Sequence, residues 1–351
     1  MSIIVPVHNG AGTLRACLEA LVKAPGPARE LIVVDDGSLD DSAAIAASLD
    51  VRTIRHSRNL GCRVARNSGV RHANAPILVF VDADVVIEPS ALQRISIFMA
   101  ENPDYAAVFG SYDAEPSDPG FVSQYRKLLH HFTHQGGKSE AETFWTGLGA
   151  VRRSAFQSVG GFRQNCTSIT DILFGLDLSD AGFRIRLDRT LLGKHLKPWT
   201  LRTMVITDVF LRAVPWSDII LSRARFTNDL NTSSANRVGV VFANLTVACA
   251  MVAALVPAFF AVAGLALLAT FVANTYVLTQ FSKRRGAVFA LGVIPLHFIH
   301  QLCAGVGFAL AVERRYLGVI GGRRSREFRR GSKSYALDDR VASPAVESAR
   351  S

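Results

Sequence analysis

The chain has 351 residues, of which 49% are hydrophobic, and 39 Lys and Arg against 29 Asp and Glu give it a formal net charge of +10. This is enough for one α/β domain and something smaller. Much of the basic excess lies beside or after apolar segments, at Lys283–Arg285, Arg314–Arg315 and Arg323–Arg330, which fits anionic lipid headgroups and argues against nucleic acid as a partner. Cys17, Cys62, Cys166, Cys249 and Cys303 show neither CxxC nor metal-ligand spacing, so they read as reduced thiols of a cytosol-facing protein and not as a disulfide framework.

The first ninety residues alternate short apolar runs with helical spacing. Ile3–Val7 reads as a strand, Gly12–Lys23 as a helix, Leu31–Val34 as a strand and Asp40–Leu49 as an Ala-rich helix. Val51–Ile54 is a weaker strand, Val64–Ala73 a helix and Ile77–Val81 a further strand. Continuous apolar strands separated by helices indicate a parallel sheet covered on both faces. Residues 89–135 read as mainly helical, with a turn-rich break at Glu115–Gly120. Short strands and turns fill 143–200, and Phe183–Leu187 alternates like an edge strand. The basic, amphipathic stretch 198–235, with Trp199 and Trp216, suits a membrane surface.

Val238–Phe281 is almost free of charge and too long for one span of about 20 residues, so it reads as two helices broken near Pro257. Ala287–Val312 is a third candidate, interrupted by Pro295, His297, His300 and Gln301. A helical pair returns Lys283–Arg285 to the side where the chain began. A single third span would then place the Arg-rich tail outside, against the positive-inside rule. The third segment re-enters, lies in the interface, or translocates the tail. No signal peptide is visible at the start, so the N-terminal domain is expected to stay on the side of synthesis.

In an open α/β sheet, ligands bind beyond the carboxyl ends of the strands. Three such ends are polar here: His8-Asn9-Gly10, Asp35-Asp36-Gly37-Ser38 and Asp82-Ala83-Asp84. Together they make a crevice rich in carboxylates. Asp82 and Asp84 are spaced to hold a divalent cation, Mg2+ or Mn2+, against a diphosphate that carboxylates alone would repel. Asp35 and Asp36 can accept hydrogen bonds from a base or ribose, or stabilise their own turn. Trp145 and Gly147 would form a sugar or acceptor wall with Arg152 and Arg153 behind it. His130, His131 and His134 lack the glutamate of H-E-x-x-H and read as a surface helix.

The segments SIIVPVHN (2–9), LIVVDDGSLDD (31–41), RNLGCRVARNSGV (58–70) and ILVFVDADV (77–85) resemble the family 2 glycosyltransferases of the GT-A fold. TGLGAVRRSAFQSVGGF (146–162) and TDILFGLDLSDAGFRI (170–185) are similar to that family's acceptor-side segment and its E-D-x-x-x-x-x-R-x-x-x-x-G region. The resemblance covers about the first 190 residues. It implies that Pro6, His8 and Asn9 line a nucleobase pocket with Asp35 and Asp36, and that Arg66 and Asn67 lie beside the nucleotide. It places Asp82 and Asp84 at the metal and ribose, His195 as a third metal ligand, and Asp171 as the base of an inverting transfer. The chain departs from the family at His8, commonly aromatic, at Thr170, commonly a carboxylate, and at Asp177, commonly Arg.

The reading is an α/β protein: a GT-A, Rossmann-like nucleotide-diphospho-sugar transferase domain over residues 1–235, two or three transmembrane helices over 236–315, and a basic disordered tail over 316–351. It would be a metal-dependent, hexosyltransferase-like enzyme that moves a sugar from a nucleotide-sugar, UDP-linked by preference, to a lipid or lipid-linked acceptor. It would sit as a multi-pass protein of the cell inner membrane with its catalytic domain cytoplasmic. A processive polysaccharide synthase and a non-catalytic nucleotide-sugar-binding membrane protein are the alternatives.

Overall fold

The computed structural model describes residues 1–27, 29–163, 168–223, 230 and 233–320. Cys166, residues 224–229 and 231–232 of the 198–235 stretch, and the basic tail from residue 321 lie outside the described residues. The chain opens with β1 (Ser2–Val7), α1 (Ala11–Lys23), β2 (Glu30–Asp35), α2 (Ser42–Ser48), β3 (Arg52–Arg55), α3 (Cys62–His72) and β4 (Ile77–Val81). Each of the six β1 residues is buried, as a strand covered on both faces demands. The parallel register pairs Ile3 with Leu31 in β2 and with Val79 in β4. Apolar residues at helical spacing, Leu14, Cys17, Leu18 and Leu21, seat α1 on this sheet; each fully buried Leu, Ile or Val contributes about 1.5–3 kcal/mol.

After β5 (Val85–Ile87) and α4 (Ala91–Glu101) the structure departs from the sequence reading. Tyr105–Tyr112, inside the stretch read as helical, is the eight-residue strand β6. It is followed by α5 (Phe121–Gly136), β7 (Glu140–Ala141), β8 (Leu148–Arg152), α6 (Arg153–Ser158), α7 (Thr170–Asp180) and β9 (Arg184–His195). The sheet order is β3-β2-β1-β4-β8-β6-β9-β5, with β7 paired to β9. It is therefore mixed: β8 runs antiparallel to β4 and β6, and β5 antiparallel to β9. The predicted edge strand is the interior strand β9, longer than expected because it continues past an irregularity against β6 to pair with β5.

The linker is one run of helix: α8 (Leu201–Ile206), a π-helix (Thr207–Ala213) and α9 (Val214–Arg223). Pro215 has no N–H and its ring crowds the carbonyl four residues back. The chain widens ahead of it, and Val214 N–H donates to Val209 O, five residues back.

α10 (Ser234–Ala253) and α11 (Phe259–Ala273) flank the break at Pro257. α12 (Thr275–Arg285) is bent by 59° from α11, and α13 (Ala287–Ile320) passes through Pro295 without ending. Ser234–Ala253 and Ala287–Tyr316 are each long and apolar enough to cross a membrane, as is the bent α11–α12 pair if taken as one span.

Candidate functional site

The carboxyl ends of β1, β2, β4, β6 and β9 and the start of β8 share one edge of the sheet. At the β2 end, Gly37 adopts φ +69° and passes so close to Arg58 that a Cβ would lie 2.4 Å from its carbonyl carbon. This turn leaves Asp35 fully buried. Its Oδ1 accepts from Ser38 N–H, while Oδ2 has no hydrogen bond and the Arg55 guanidinium lies 3.2 Å away. His8 stands exposed at the adjoining β1 end, its Nδ1 2.9 Å from Asp36 O, and Asn9 takes a positive φ and bonds Ser38 and Leu39. Pro6 is buried within β1, paired with Val34.

At the β4 end, Arg66 of α3 donates to Asp82 Oδ1 at 2.7 Å. Asp84 reaches in the other direction, its Oδ2 3.2 Å from His195 Nε2. The antiparallel pairing of Val85 with His195 brings these two residues together. Burial pushes the Asp84 carboxyl up, but the His195 hydrogen bond and the charges of His195 and Lys197 outweigh it and hold the carboxyl below the ordinary aspartate value. His195 Nδ1 is buried without a partner.

Asp171, in the first turn of α7, lies within electrostatic reach of Arg66, Asp82, Tyr112 and Arg212. Burial lifts its carboxyl above the usual value, Arg66 opposes the rise and Asp82 adds to it. Tyr112, Trp145, Gly147 and the histidines of α5 form the wall. Tyr112 stacks on His195 with ring centroids 4.6 Å apart and meets Trp145 edge-on at 4.7 Å. His130 and His134 pack against Trp145 at 5.5 Å each, so they belong to this interior wall and not to a surface helix. Gly147 fits beneath the Trp145 indole, where a Cβ would lie 2.1 Å from the ring, and its carbonyl accepts from Asp82 N–H.

Residues 2–160 match the family model described as Glycosyl transferase family 2. The chain carries a family 2 glycosyltransferase domain. Among relatives, protein MT1568 of Mycobacterium tuberculosis is 28% identical over 196 residues, 51% of this chain and 61% of the relative. The uncharacterized glycosyltransferase YibD of Escherichia coli is 34% identical over 107 residues, 29% of this chain and 31% of YibD. The chain thus spans less than two thirds of the length of these relatives. Among solved structures, the mannosyltransferase PcManGT from Pyrobaculum calidifontis, in complex with GDP-Man and Mn2+, superposes with a TM-score of 0.54 at 18% identity, over 88% of this chain and 86% of that one. That likeness establishes the shared GT-A-like fold.

Within the family 2 domain, four expected site residues make structural contacts. Asp36 accepts from His56 and from the Leu60 and Gly61 N–H groups, pinning the loop ahead of α3. Asn67 clamps the Phe162 backbone through both ends of its amide. Arg152 and Arg153 lie at the opposite end of the sheet, where β8 meets Ile77. Arg152 donates to the carbonyls of Tyr105, Met99 and Asn102, and Arg153 to those of Ala75 and Val70. Neither is an acceptor wall. Asp177, which stands where the family commonly has Arg, is matched by Arg163 and Arg223.

Sequence reasoning missed Tyr112 and gave Arg212 no role in the site. Tyr112 was hidden in the strand read as helix. Arg212 projects from the π-helix and has its ionisation lowered to about 10 by burial and by Arg126. Asp208, one turn earlier, is held by Arg126 and His300.

The donor set Asp84 and His195 fits a divalent cation. Among the described residues no three His, Cys, Asp or Glu side chains cluster as a metal cage. Mg2+ and Mn2+ sites of the nucleotide-dependent kind need only one or two protein ligands, the rest coming from phosphate oxygens and water.

Proposed function

We propose that the chain is an inverting glycosyltransferase that moves a sugar from a nucleotide-sugar to a lipid or lipid-linked acceptor at a membrane face. The observation that supports the reading is that Asp82, Asp84, Asp171 and Arg212 all lie within electrostatic reach of Tyr112, at the sheet edge where an α/β fold binds nucleotides. Asp35 Oδ2 is buried without a hydrogen bond, with the Arg55 guanidinium 3.2 Å away, and a base N–H would supply a donor there. His8 stands at the same mouth as a ring on which the base stacks.

Asp84 and His195 would hold the cation, which supplies Lewis-acid stabilisation to the departing diphosphate. Asp171 takes the proton from the acceptor hydroxyl as that oxygen attacks the anomeric carbon opposite the diphosphate. The raised pKa of its carboxyl suits a base, which works best when its pKa approaches the working pH. Arg66 pairs with Asp82 and holds it turned towards α3. Arg212 offers a cation to the leaving phosphate. The apolar helices after residue 233 support an acceptor confined to a membrane.

The experiment is incubation of membranes containing the chain with labelled UDP- and GDP-sugars, with the lipid extract analysed by mass spectrometry. A divalent-dependent glycolipid supports the reading. Label in a long polymer would favour a processive synthase, and no transfer from any donor would favour a binding protein.

A further inference from the structure

We infer that α13 does not cross the membrane but lies in its plane along the catalytic domain, so that the chain beyond it stays on the catalytic side. This rests on the membrane-anchored reading above. By composition α13 is a span: Ala287–Tyr316 has 30 residues, about 45 Å of helix. A helix that crosses carries its far end about 30 Å from the face it left. Here both ends are held by the same domain.

At the near end Phe289 packs on Phe121 of α5, ring centroids 4.9 Å apart, and the preceding Arg285 donates to Gln124. A little further, His297 Nδ1 meets the Tyr125 hydroxyl at 3.0 Å. His300 Nδ1 meets Asp208 of the π-helix at 2.7 Å, and Arg126 of α5 holds the same carboxylate. Gly307 approaches the end of the π-helix so closely that a Cβ would lie 2.3 Å from that of Ala213. At the far end α13 packs against α9, where Arg314 and Arg315 come within electrostatic reach of Asp218.

The 201–223 helical run cannot leave the domain. Trp199 N–H, just before it, donates to Ser123 Oγ of α5 at 2.7 Å. Ile219 of α9 shares an apolar cluster with Leu173 and Leu176 of α7. Arg223 bridges Asp177 and Asp180 of α7. α13 follows this run from Asp208 to Asp218, so it cannot leave either. Standing α13 upright would drag the charged flank of α7 into hydrocarbon, at a cost of several kcal/mol.

The lipid side is apolar. Phe210 and Leu211 are exposed on the π-helix, and Val288, Leu291, Val306 and Phe308 on α13, the pattern of helices seated at the headgroup boundary. Crossing is then left to α10 and the α11–α12 pair, and Arg323–Arg330 follow Lys283–Arg285 on one side, in accord with the positive-inside rule.

The test uses the full chain in sealed membrane vesicles of both orientations, with a membrane-impermeant maleimide. Cys62, exposed on the catalytic domain, reports that side in a chain whose Cys166 is Ser. Ser334→Cys, in a chain whose Cys62 and Cys166 are Ser, reports the tail. The inference expects both to react in the same orientation. Reaction of the tail in the opposite orientation, with the chain retained after alkaline carbonate washing, overturns the inference and leaves the anchored reading standing. Release by carbonate overturns both.

Discussion

His195 Nε2 lies 3.2 Å from Asp84 Oδ2, joining the last residue of β9 to the second carboxylate of Asp82-Ala83-Asp84 across 111 residues of chain. The pairing holds a carboxylate and an imidazole where one cation can meet both.

His195→Ala should therefore weaken Mn2+-dependent nucleotide binding by at least about ten- to a hundredfold, since losing even an outer-shell partner of a ligand costs that much. Calorimetric titration of UDP and GDP with and without Mn2+ reads it. Affinity equal to wild type, or equal in EDTA, contradicts the metal assignment.

Protonation of Asp171 stops it acting as a base, so the rate should fall as pH drops. Because burial raises its pKa, the acid limb of kcat/KM should lie above the ordinary value of 3.8. Arg66 opposes that rise, so Arg66→Met should move the limb to still higher pH, whereas Arg66→Lys should restore it. A limb that stays put in Arg66→Met separates the two residues.

Arg152→Ala should cost about 2–3 kcal/mol of stability, since it leaves three backbone carbonyls without their charged donor. Donor and acceptor KM should be unchanged below the melting temperature. Denaturant titration and initial rates check both halves. A raised acceptor KM with unchanged stability would return Arg152 to the site.

Gly147→Ala puts a Cβ 2.1 Å from the Trp145 ring. Overpacking of this kind costs about 1–3 kcal/mol, and the indole must move off Tyr112. Trp145 fluorescence should shift and the acceptor KM rise. An unchanged spectrum and KM would show that the wall is not part of the acceptor site.

β1, β2 and β4 and their polar ends were legible because a strand buried on both faces is a continuous apolar run, and Ile3–Val7, Leu31–Val34 and Ile77–Val81 are such runs. β6 was not, because Tyr-Ala-Ala-Val-Phe-Gly-Ser-Tyr has Ala and Gly where aliphatics would mark a strand. One of these, Gly110, is required: a Cβ there would meet the Leu191 carbonyl oxygen at 2.1 Å. Missing β6 hid Tyr112 and left β9 looking like an edge. Arg152 and Arg153 were misplaced because the reversed direction of β8 puts Gly147 and Arg152 at opposite ends of the sheet, which no local pattern reveals. Asp171 and His195 came from the family resemblance, since nothing in their own neighbourhood marks them.

The central claim is that one crevice joins donor, cation and base, and Asp171→Asn tests it most directly. The variant keeps the shape of the side chain and removes its basicity. With labelled donor and membrane acceptor, transfer should fall at least about a hundredfold, the usual size of a general-base contribution, while nucleotide affinity stays at the wild-type value. A variant that transfers sugar at close to the wild-type rate would contradict the account.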